Sequence, residues 1–158
     1  MSIQTANGHA PAVADLLVEE VMRTAPDHIE TSESTMMAWE MMRRGGYHHM
    51  PVVAPDGTYA GMVDTETLAA TWPGGGPDHA RREVADMLGS QHHPRVRAGD
   101  PVRAVAVAML HCRTHAVAVV DDKDRLIGIV TSADLLALLA GPPDRLTRSP
   151  LFSAVGTR

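Results

Sequence analysis

The stretch Gly128–Leu135, with the sequence GIVTSADL, is the most informative part of this 158-residue chain. Its β-branched residues predict a strand, and the leucines that follow Asp134 predict a helix capped by Ser132. Thr131 and Asp134 therefore lie at one strand-to-helix corner, where the helix N-terminus is electropositive. A hydroxyl beside a carboxylate is suited to bind the vicinal hydroxyls of a ribose. Taken alone, the Asp is more simply explained as a helix cap.

A degraded copy of this stretch begins at Gly61, 67 residues before Gly128, and indicates an internal repeat. Val21–Met22 also matches Met87–Leu88, at an offset of 66 residues. Several independent elements keep nearly the same register, which chance does not explain. The segments that match at the offset of 67 are Gly61–Val63 with Gly128–Val130, Val52–Val53 with Val119–Val120, and His48 with His115.

Each repeat is predicted to contain, in order, a helix, a short strand, a helix, two strands and a helix. In the first repeat, residues 16–22 have the apolar spacing of a short amphipathic helix, and Asp56-Gly57 is typical of a hairpin turn. The remaining elements predicted there are an extended segment over 28–31, a helix that Ser34 caps and Gly45-Gly46 ends, strands over 50–54 and 59–63, and a helix over 65–70.

This order of elements resembles the cystathionine β-synthase (CBS) domain. The apolar strand with PVV, the Asp-Gly turn and the GIVTxxDL motif carry the resemblance, once imperfectly and once in full. It implies an α/β fold, α+β by some schemes, made of two β-α-β-β-α repeats packed about a pseudo-twofold axis. Two such domains in tandem form a Bateman module, which has two clefts between its repeats.

The repeat also predicts how the chain divides. One repeat of about 60 residues buries little surface, so we expect the two repeats to depend on each other. The predicted parts are a flexible N-terminal lead-in over 1–12, CBS repeat 1 over 13–72, a Gly-rich linker over 73–78, CBS repeat 2 over 79–140, and a C-terminal tail over 141–158.

The resemblance implies where a ligand binds. In the CBS family the strand-end hydroxyl and the helix Asp hold the ribose of an adenosine-type ligand, and here these residues are Thr131 and Asp134. The first repeat has Asp64 and Thr67 at these positions, in reversed order, so we expect one competent cleft per chain. The other residues that the resemblance places around the ligand are His115, Tyr47, His48, His49, Thr24 and Ala25.

Phosphate affinity is expected to be modest. The family pattern has an arginine where this chain has His49, which is mostly neutral at pH 7. Arginines near helix ends are the candidates to supply the missing charge, although such side chains are usually only solvated. These candidates are Arg43, Arg44 and Arg113.

Composition narrows the classes of function. The net charge of −5 and the aromatic content of 3% disfavour nucleic acid as a partner. Cys112 is the single cysteine, which excludes an intramolecular disulfide and agrees with a reducing compartment. No apolar run is long enough for a membrane span, and the first residues do not resemble a signal peptide. We therefore expect a cytoplasmic protein with no membrane association.

The nine histidines do not predict a metal site. Adjacent histidines in a strand point to opposite faces and cannot chelate one ion together. No arrangement of residues looks catalytic, and the glycine cluster over 74–76 lacks the Lys-Ser/Thr of a phosphate-binding loop. We expect no enzyme activity, no catalytic residue, no metal and no required cofactor.

The leading hypothesis is a regulatory sensor that binds AMP, ADP, ATP or S-adenosylmethionine between its repeats and transmits occupancy to a protein effector. A ligand-free, dimeric interaction or scaffold module is the alternative, and an enzyme or metal protein that uses the histidines is the weakest reading. Both leading hypotheses predict a homodimer, because Bateman modules pair through their helices. The predicted faces are Met36 to Met42 and Ala104 to Leu110.

Overall fold

Two small sheets form the framework of the protein. The computed structural model describes residues 12–70, 81–90 and 92–141. The predicted linker, the lead-in up to residue 11 and the tail after residue 141 lie outside the described residues. The strands are β1 Arg23–Thr24, β2 Ile29–Glu30, β3 His49–Val53, β4 Tyr59–Asp64, β5 Arg95–Arg97, β6 Ala116–Val120 and β7 Leu126–Thr131. The helices are α1 Thr35–Gly45, α2 Thr65–Ala70, α3 Ala85–Leu88, α4 Val102–Cys112 and α5 Ser132–Ala140.

The two sheets have matching topology. The first has the order β2-β3-β4 and the second the order β1-β7-β6-β5. In each, a short strand pairs in parallel with the first strand of an antiparallel hairpin. A register irregularity falls between Val52 and Val53 in one hairpin and between Val119 and Val120 in the other. The internal repeat and the mixed helix-and-strand fold are therefore confirmed.

Most of the elements predicted for the first repeat are present. Ser34 caps α1, its hydroxyl accepting a hydrogen bond from the Met37 amide at 3.2 Å. Gly46 ends α1 in the left-handed conformation, with φ of 65°, where a glycine is favoured. The hairpin of β3 and β4 and the helix α2 fall where the sequence places them. Local signals were sufficient for these elements.

The predicted helix over 16–22 is wrong. This segment contains a 3-10 turn at Val18–Glu20. The amides of Val18 and Glu19 donate to the carbonyls of Asp100 and Ala98, at 2.9 and 3.0 Å. Leu16 and Leu17 have ψ of 149° and 148°, which is not helical, and Leu17 forms a β-bridge with Pro101. The segment is therefore not one continuous helix. The cap of α5 is also corrected: it is Thr131, one residue before the predicted Ser132.

The segments that lead into the two repeats cross over. Strand β1 belongs by sequence to the first repeat, but it pairs with β7 of the second, Arg23 opposite Ile129. The corresponding edge of β4 is covered by the second repeat, because the Met62 amide donates to Nδ1 of His93 at 3.3 Å. Nε2 of His93 lies 3.1 Å from the Leu88 carbonyl, which it reaches as a donor. Each repeat thus closes the other's sheet.

The repeated glycines permit this close crossing. A Cβ on Gly128 would lie 2.8 Å from Sδ of Met22 and 3.1 Å from the backbone oxygen of Arg23. A Cβ on Gly61 would lie 2.8 Å from Cδ2 of Leu88 and 2.9 Å from Cδ2 of His93. At both positions a larger residue would force the opposite repeat's leading segment to shift.

Two apolar cores form, one against each sheet and each with residues from both repeats, and a third cluster joins them. The first core lies between α1, α2, α3 and the β3–β4 hairpin, and the second between Val18, α4 and the β6–β7 hairpin. Tyr59, Ala118 and Val120 are buried where the two sheets meet. This junction fixes the relative position of the repeats and therefore the shape of the clefts between them.

Candidate functional site

A cleft between the repeats, which we call the Thr131 cleft, has a volume of about 630 Å³. This size is within the range of small-molecule sites. Four parts of the chain line it: the β1 segment, the residues around the start of β3, His115 just before β6, and the corner between β7 and α5. The lining residues are Arg23, Thr24, Ala25, Pro26, Asp27, Gly46, Tyr47, His48, His49, Pro51, His115, Ile129, Thr131, Ser132 and Ala133.

Seven of the eight residues predicted to contact a ligand line this one cleft, although they come from four separate segments of the sequence. The eighth, Asp134, is not part of this lining. Its side chain is only 14% exposed and lines a neighbouring cavity with Glu20 and Ala137. The residues that the structure brings together are Thr24, Ala25, Tyr47, His48, His49, His115 and Thr131.

Thr131 and Asp134 form a capping box at the start of α5. The amide and the hydroxyl of Thr131 both donate to Oδ2 of Asp134, each at 2.8 Å. The Asp134 amide in turn points at the Thr131 hydroxyl oxygen, at 3.4 Å. The capping explanation that the sequence offered for this pair is therefore observed. It fixes the carboxylate against the helix N-terminus.

Arg23 completes the coordination of Asp134. Its Nε and Nη2 donate to Oδ1 at 3.1 and 2.7 Å. Burial works to raise the pKa of Asp134, but the hydrogen bonds from Thr131 and the Arg23 guanidinium outweigh it, so the net shift is downward. The sequence reasoning missed Arg23. Its position directly before Thr24 was the available signal, but the pairing of β1 with β7 was needed to interpret it.

The opposite side of the cleft carries an aromatic ring and histidines. The Tyr47 hydroxyl donates a short hydrogen bond to Asp27, and this bond raises the pKa of Tyr47. Burial lowers the pKa of His49, and neighbouring histidines add to the shift while Asp64 opposes it. The rings of His49 and His115 have centroids 6.4 Å apart. This side of the cleft is therefore polar, and burial favours the neutral form of His49.

The second cleft is built around the equivalent corner of the first repeat, at the end of β4, and has a volume of about 350 Å³. Asp64 caps α2 there, its Oδ1 accepting from the Thr67 amide at 2.6 Å. The two clefts share His48, His49 and His115, which separate them. The second cleft is smaller than the Thr131 cleft, and the polar residues at its strand-to-helix corner stand in a different order.

The arginines expected to supply positive charge lie elsewhere. Arg43 and Arg44 are bonded to Glu40 on the surface of α1, at 3.0 and 2.7 Å. Arg113 lines the second cleft and not the Thr131 cleft. Among the described residues that line the Thr131 cleft, Arg23 is the one arginine or lysine.

The described residues contain neither a metal cluster nor a membrane-spanning helix. Over residues 12–70, 81–90 and 92–141, no group of three or more His, Cys, Asp or Glu side chains is arranged to hold a metal ion. Within the same residues, every helix is too short or too polar to cross a bilayer.

The sequence profile of the CBS domain matches residues 18–71 and 84–141, which are the two repeats of the structure. The chain therefore belongs to the CBS domain family and carries two copies of the domain in tandem. Solved CBS domain pairs share its fold. The CBS domain pair of protein MJ0100, in complex with 5'-methylthioadenosine and S-adenosyl-L-methionine, superposes with a TM-score of 0.69 at 24% identity, over 80% of this chain and 97% of that one.

Two further relatives are a solved structure and a longer enzyme. CBSX2 in complex with AMP is 21% identical, with a TM-score of 0.65, over 76% of this chain and 93% of that one. Homoserine O-acetyltransferase of Methanocorpusculum labreanum is 29% identical over 120 residues, which are 76% of this chain. The match covers only 23% of that enzyme's length.

Proposed function

We propose that this CBS pair is a non-catalytic regulatory module that binds an adenosine-type ligand in the Thr131 cleft. The observation that carries the proposal is the convergence of Thr24, Tyr47, His49, His115 and Thr131 on one cleft of suitable size. The complexes of related CBS pairs with adenosine compounds support it. No required cofactor enters the proposal.

Regulation requires that the ligand bind one arrangement of the protein more tightly than another. The Thr131 cleft is suited to this because its residues come from both repeats and from the crossing strand β1. A ligand that contacts all of them changes the free energy of the arrangement of the two repeats. We propose that a protein effector senses this change.

Calorimetric titration with AMP, ADP, ATP and S-adenosylmethionine tests the proposal. Asp134→Ala is expected to weaken binding of the preferred ligand by at least about tenfold, since a charged hydrogen-bond acceptor is lost. Asp64→Ala is the matched control, because it removes the same group from the equivalent corner of the other cleft. Absence of binding to all four compounds, or equal effects of the two substitutions, would contradict the proposal.

A ligand-free interaction module is the second candidate, and one observation favours it. Every acceptor position of the Asp134 carboxylate is already filled by Thr131 and Arg23. A protein that never binds a nucleotide is expected to have such a self-satisfied corner. In that case calorimetric titration with the four compounds gives no heat of binding, while the protein is still a dimer.

Both candidates include a homodimer, and exposed apolar side chains support this part of the proposal. The exposed fractions on α4 and α5 are 63% for Val107, 81% for Leu110, 65% for Leu136 and 72% for Leu139. Such a patch is typical of a protein interface. Light scattering is expected to give twice the chain mass, and Leu110→Glu is expected to give a monomer. A monomeric wild-type protein at micromolar concentration would contradict this part.

A further inference from the structure

The ion pair between Arg23 and Asp134 joins two side chains of very different freedom. Arg23 is 64% exposed, whereas Asp134 is 14% exposed and is held by Thr131 at the start of α5. An ion pair with an exposed partner contributes little to stability, because water competes for the exposed group. The arginine can therefore leave at small cost, and the carboxylate stays in place.

The carboxylate of Asp134 has no acceptor position left for a ligand while Arg23 is bound. A carboxylate offers about four lone-pair positions, two on each oxygen. Thr131 takes both positions on Oδ2, and Nε and Nη2 of Arg23 take both on Oδ1. A ribose hydroxyl can donate to Asp134 only after the guanidinium has moved off Oδ1.

The displaced guanidinium then needs a new partner, and the chemistry of the ligand decides whether it finds one. A phosphate group accepts two parallel hydrogen bonds from arginine and neutralises its charge. Adenosine has no anionic group, so it leaves the displaced arginine unpaired in water. Since Arg23 is the one arginine or lysine among the described residues of the cleft lining, this effect is not shared with another permanent cation.

We propose that Arg23 determines the specificity of the Thr131 cleft: it pairs with Asp134 while the cleft is empty and with the phosphate of an adenosine nucleotide when the cleft is filled. This inference rests on the proposed function and sharpens it. The ligand class it selects is a phosphate-bearing adenosine, in preference to adenosine itself.

The test compares AMP with adenosine, which has the same base and ribose but no phosphate. The wild-type protein is expected to bind AMP at least about tenfold more tightly than adenosine in calorimetric titration. In Arg23→Gln this preference is expected to fall to within about threefold, through weaker AMP binding. Adenosine is expected to bind the variant as tightly as the wild type or more tightly, because Oδ1 of Asp134 is then free.

Arg44→Ala is the control, because it removes an exposed arginine that is paired with Glu40 on α1, outside the cleft. It is expected to leave both affinities unchanged. A structural defect in Arg23→Gln would weaken both ligands together, so the ratio of the two affinities is the decisive measurement.

The outcomes separate the two proposals. Equal wild-type affinities for AMP and adenosine, or a preference that survives in Arg23→Gln, would overturn the role of Arg23 while leaving adenosine binding established. An equal loss of both affinities in Arg23→Gln would overturn it in the same way. A wild-type protein that binds neither compound, nor ADP, ATP or S-adenosylmethionine, would overturn the proposed function, and this inference with it. Binding of S-adenosylmethionine without AMP would overturn the role of Arg23 alone.

Discussion

The two strand-to-helix corners use the same residue types in opposite order. In the second repeat Thr131 caps the helix and Asp134 follows in the first turn, whereas in the first repeat Asp64 caps and Thr67 follows. Both orders start a helix. They differ in what occupies the carboxylate: a backbone amide holds Oδ1 of Asp64, while an exposed arginine holds Oδ1 of Asp134.

Both corners start a helix, so helix capping tolerates the exchange of the two residue types. We propose that ligand binding does not tolerate it, because a backbone amide at a helix start cannot be moved aside, whereas an exposed side chain can. The second difference is the arginine itself, since the offset of 66 residues places Gly89 where the other repeat has Arg23. On this proposal, the Thr131 corner exchanges partners when a ligand binds, and the Asp64 corner serves as a helix cap.

Exchanging the Thr and the Asp within one corner gives the largest expected effect, which is on ligand affinity. The double variant Thr131→Asp with Asp134→Thr is expected to lose at least about tenfold in ligand affinity while α5 stays capped. The reciprocal variant, Asp64→Thr with Thr67→Asp, is expected to add a second, weaker site, raising the calorimetric stoichiometry from one to two ligands per chain. Unchanged affinity in the first variant would show that the order of the two groups is irrelevant.

Substituting Gly61 and Gly128 tests whether the leading segments pack equally tightly against the two sheets. Gly128→Ala is expected to destabilise the protein by about 2 kcal/mol, because the new Cβ meets a backbone oxygen of Arg23. Gly61→Ala is expected to cost about 1 kcal/mol, since only the side chains of Leu88 and His93 must move. Urea unfolding measures both values.

Gly99→Ala is the control for this pair, because nothing lies within 4 Å of a Cβ at that position. It is expected to be neutral. If Gly61→Ala proved the more damaging of the two, the packing of His93 would be more rigid than the backbone of β1.

The ion pair at Asp134 predicts a smaller, pH-dependent effect on stability. Because the folded-state pKa of Asp134 is lowered, its contribution is present above the ordinary value of 3.8 and is lost as the pH falls through the lower folded value. Asp134→Asn is expected to cost about 1 kcal/mol at neutral pH and less in acid. Denaturant titrations across this range measure the difference.

Asp122→Asn is the control, because that side chain is fully exposed. A cost of Asp134→Asn that stayed constant down to the acid limit would mean that the charge of Asp134 is unimportant for folding.

Substitution of His49 gives the smallest expected effect, which is on the pH dependence of stability. Burial lowers its pKa, so the unfolded chain binds this proton more readily than the folded protein. Stability is therefore expected to fall as the pH drops below 6.5, with Asp64 opposing the effect and His48 and His115 adding to it. Between about pH 7.5 and 5.5, the free energy of unfolding is expected to fall less in His49→Gln than in the wild type. The difference between the two proteins is expected to stay below about 1 kcal/mol.

Thermal unfolding over that pH range measures the difference, and the exposed His111→Gln is the control. Parallel pH profiles for the wild type and His49→Gln would contradict the prediction.

The sequence predicted the elements whose signals are local. Ser34 and Gly46 bound α1, and the offset of 67 residues aligned the two hairpins. The family pattern then brought Thr24, His49 and other distant residues into one predicted site, and the structure places them on the same cleft. These successes rest on capping chemistry, strand periodicity and repetition.

The failures concern contacts between the repeats. The amides of Val18 and Glu19 prefer carbonyls of the second repeat, and no local pattern reveals this. Arg23 was missed for the same reason, because its partner Asp134 lies 111 residues away. Helix periodicity and repeat offsets describe each half separately, whereas these contacts depend on how the halves dock.

The crossing of the leading segments also affects the order in which the chain folds. Strand β1 cannot pair until β7 has been synthesised, so the first of the described strands is among the last to find its partner. Until then β7 presents an unpaired edge, which another chain could occupy. The slow step of folding is therefore expected to be the docking of Arg23–Thr24 onto the completed second sheet, which coincides with completion of the Thr131 cleft.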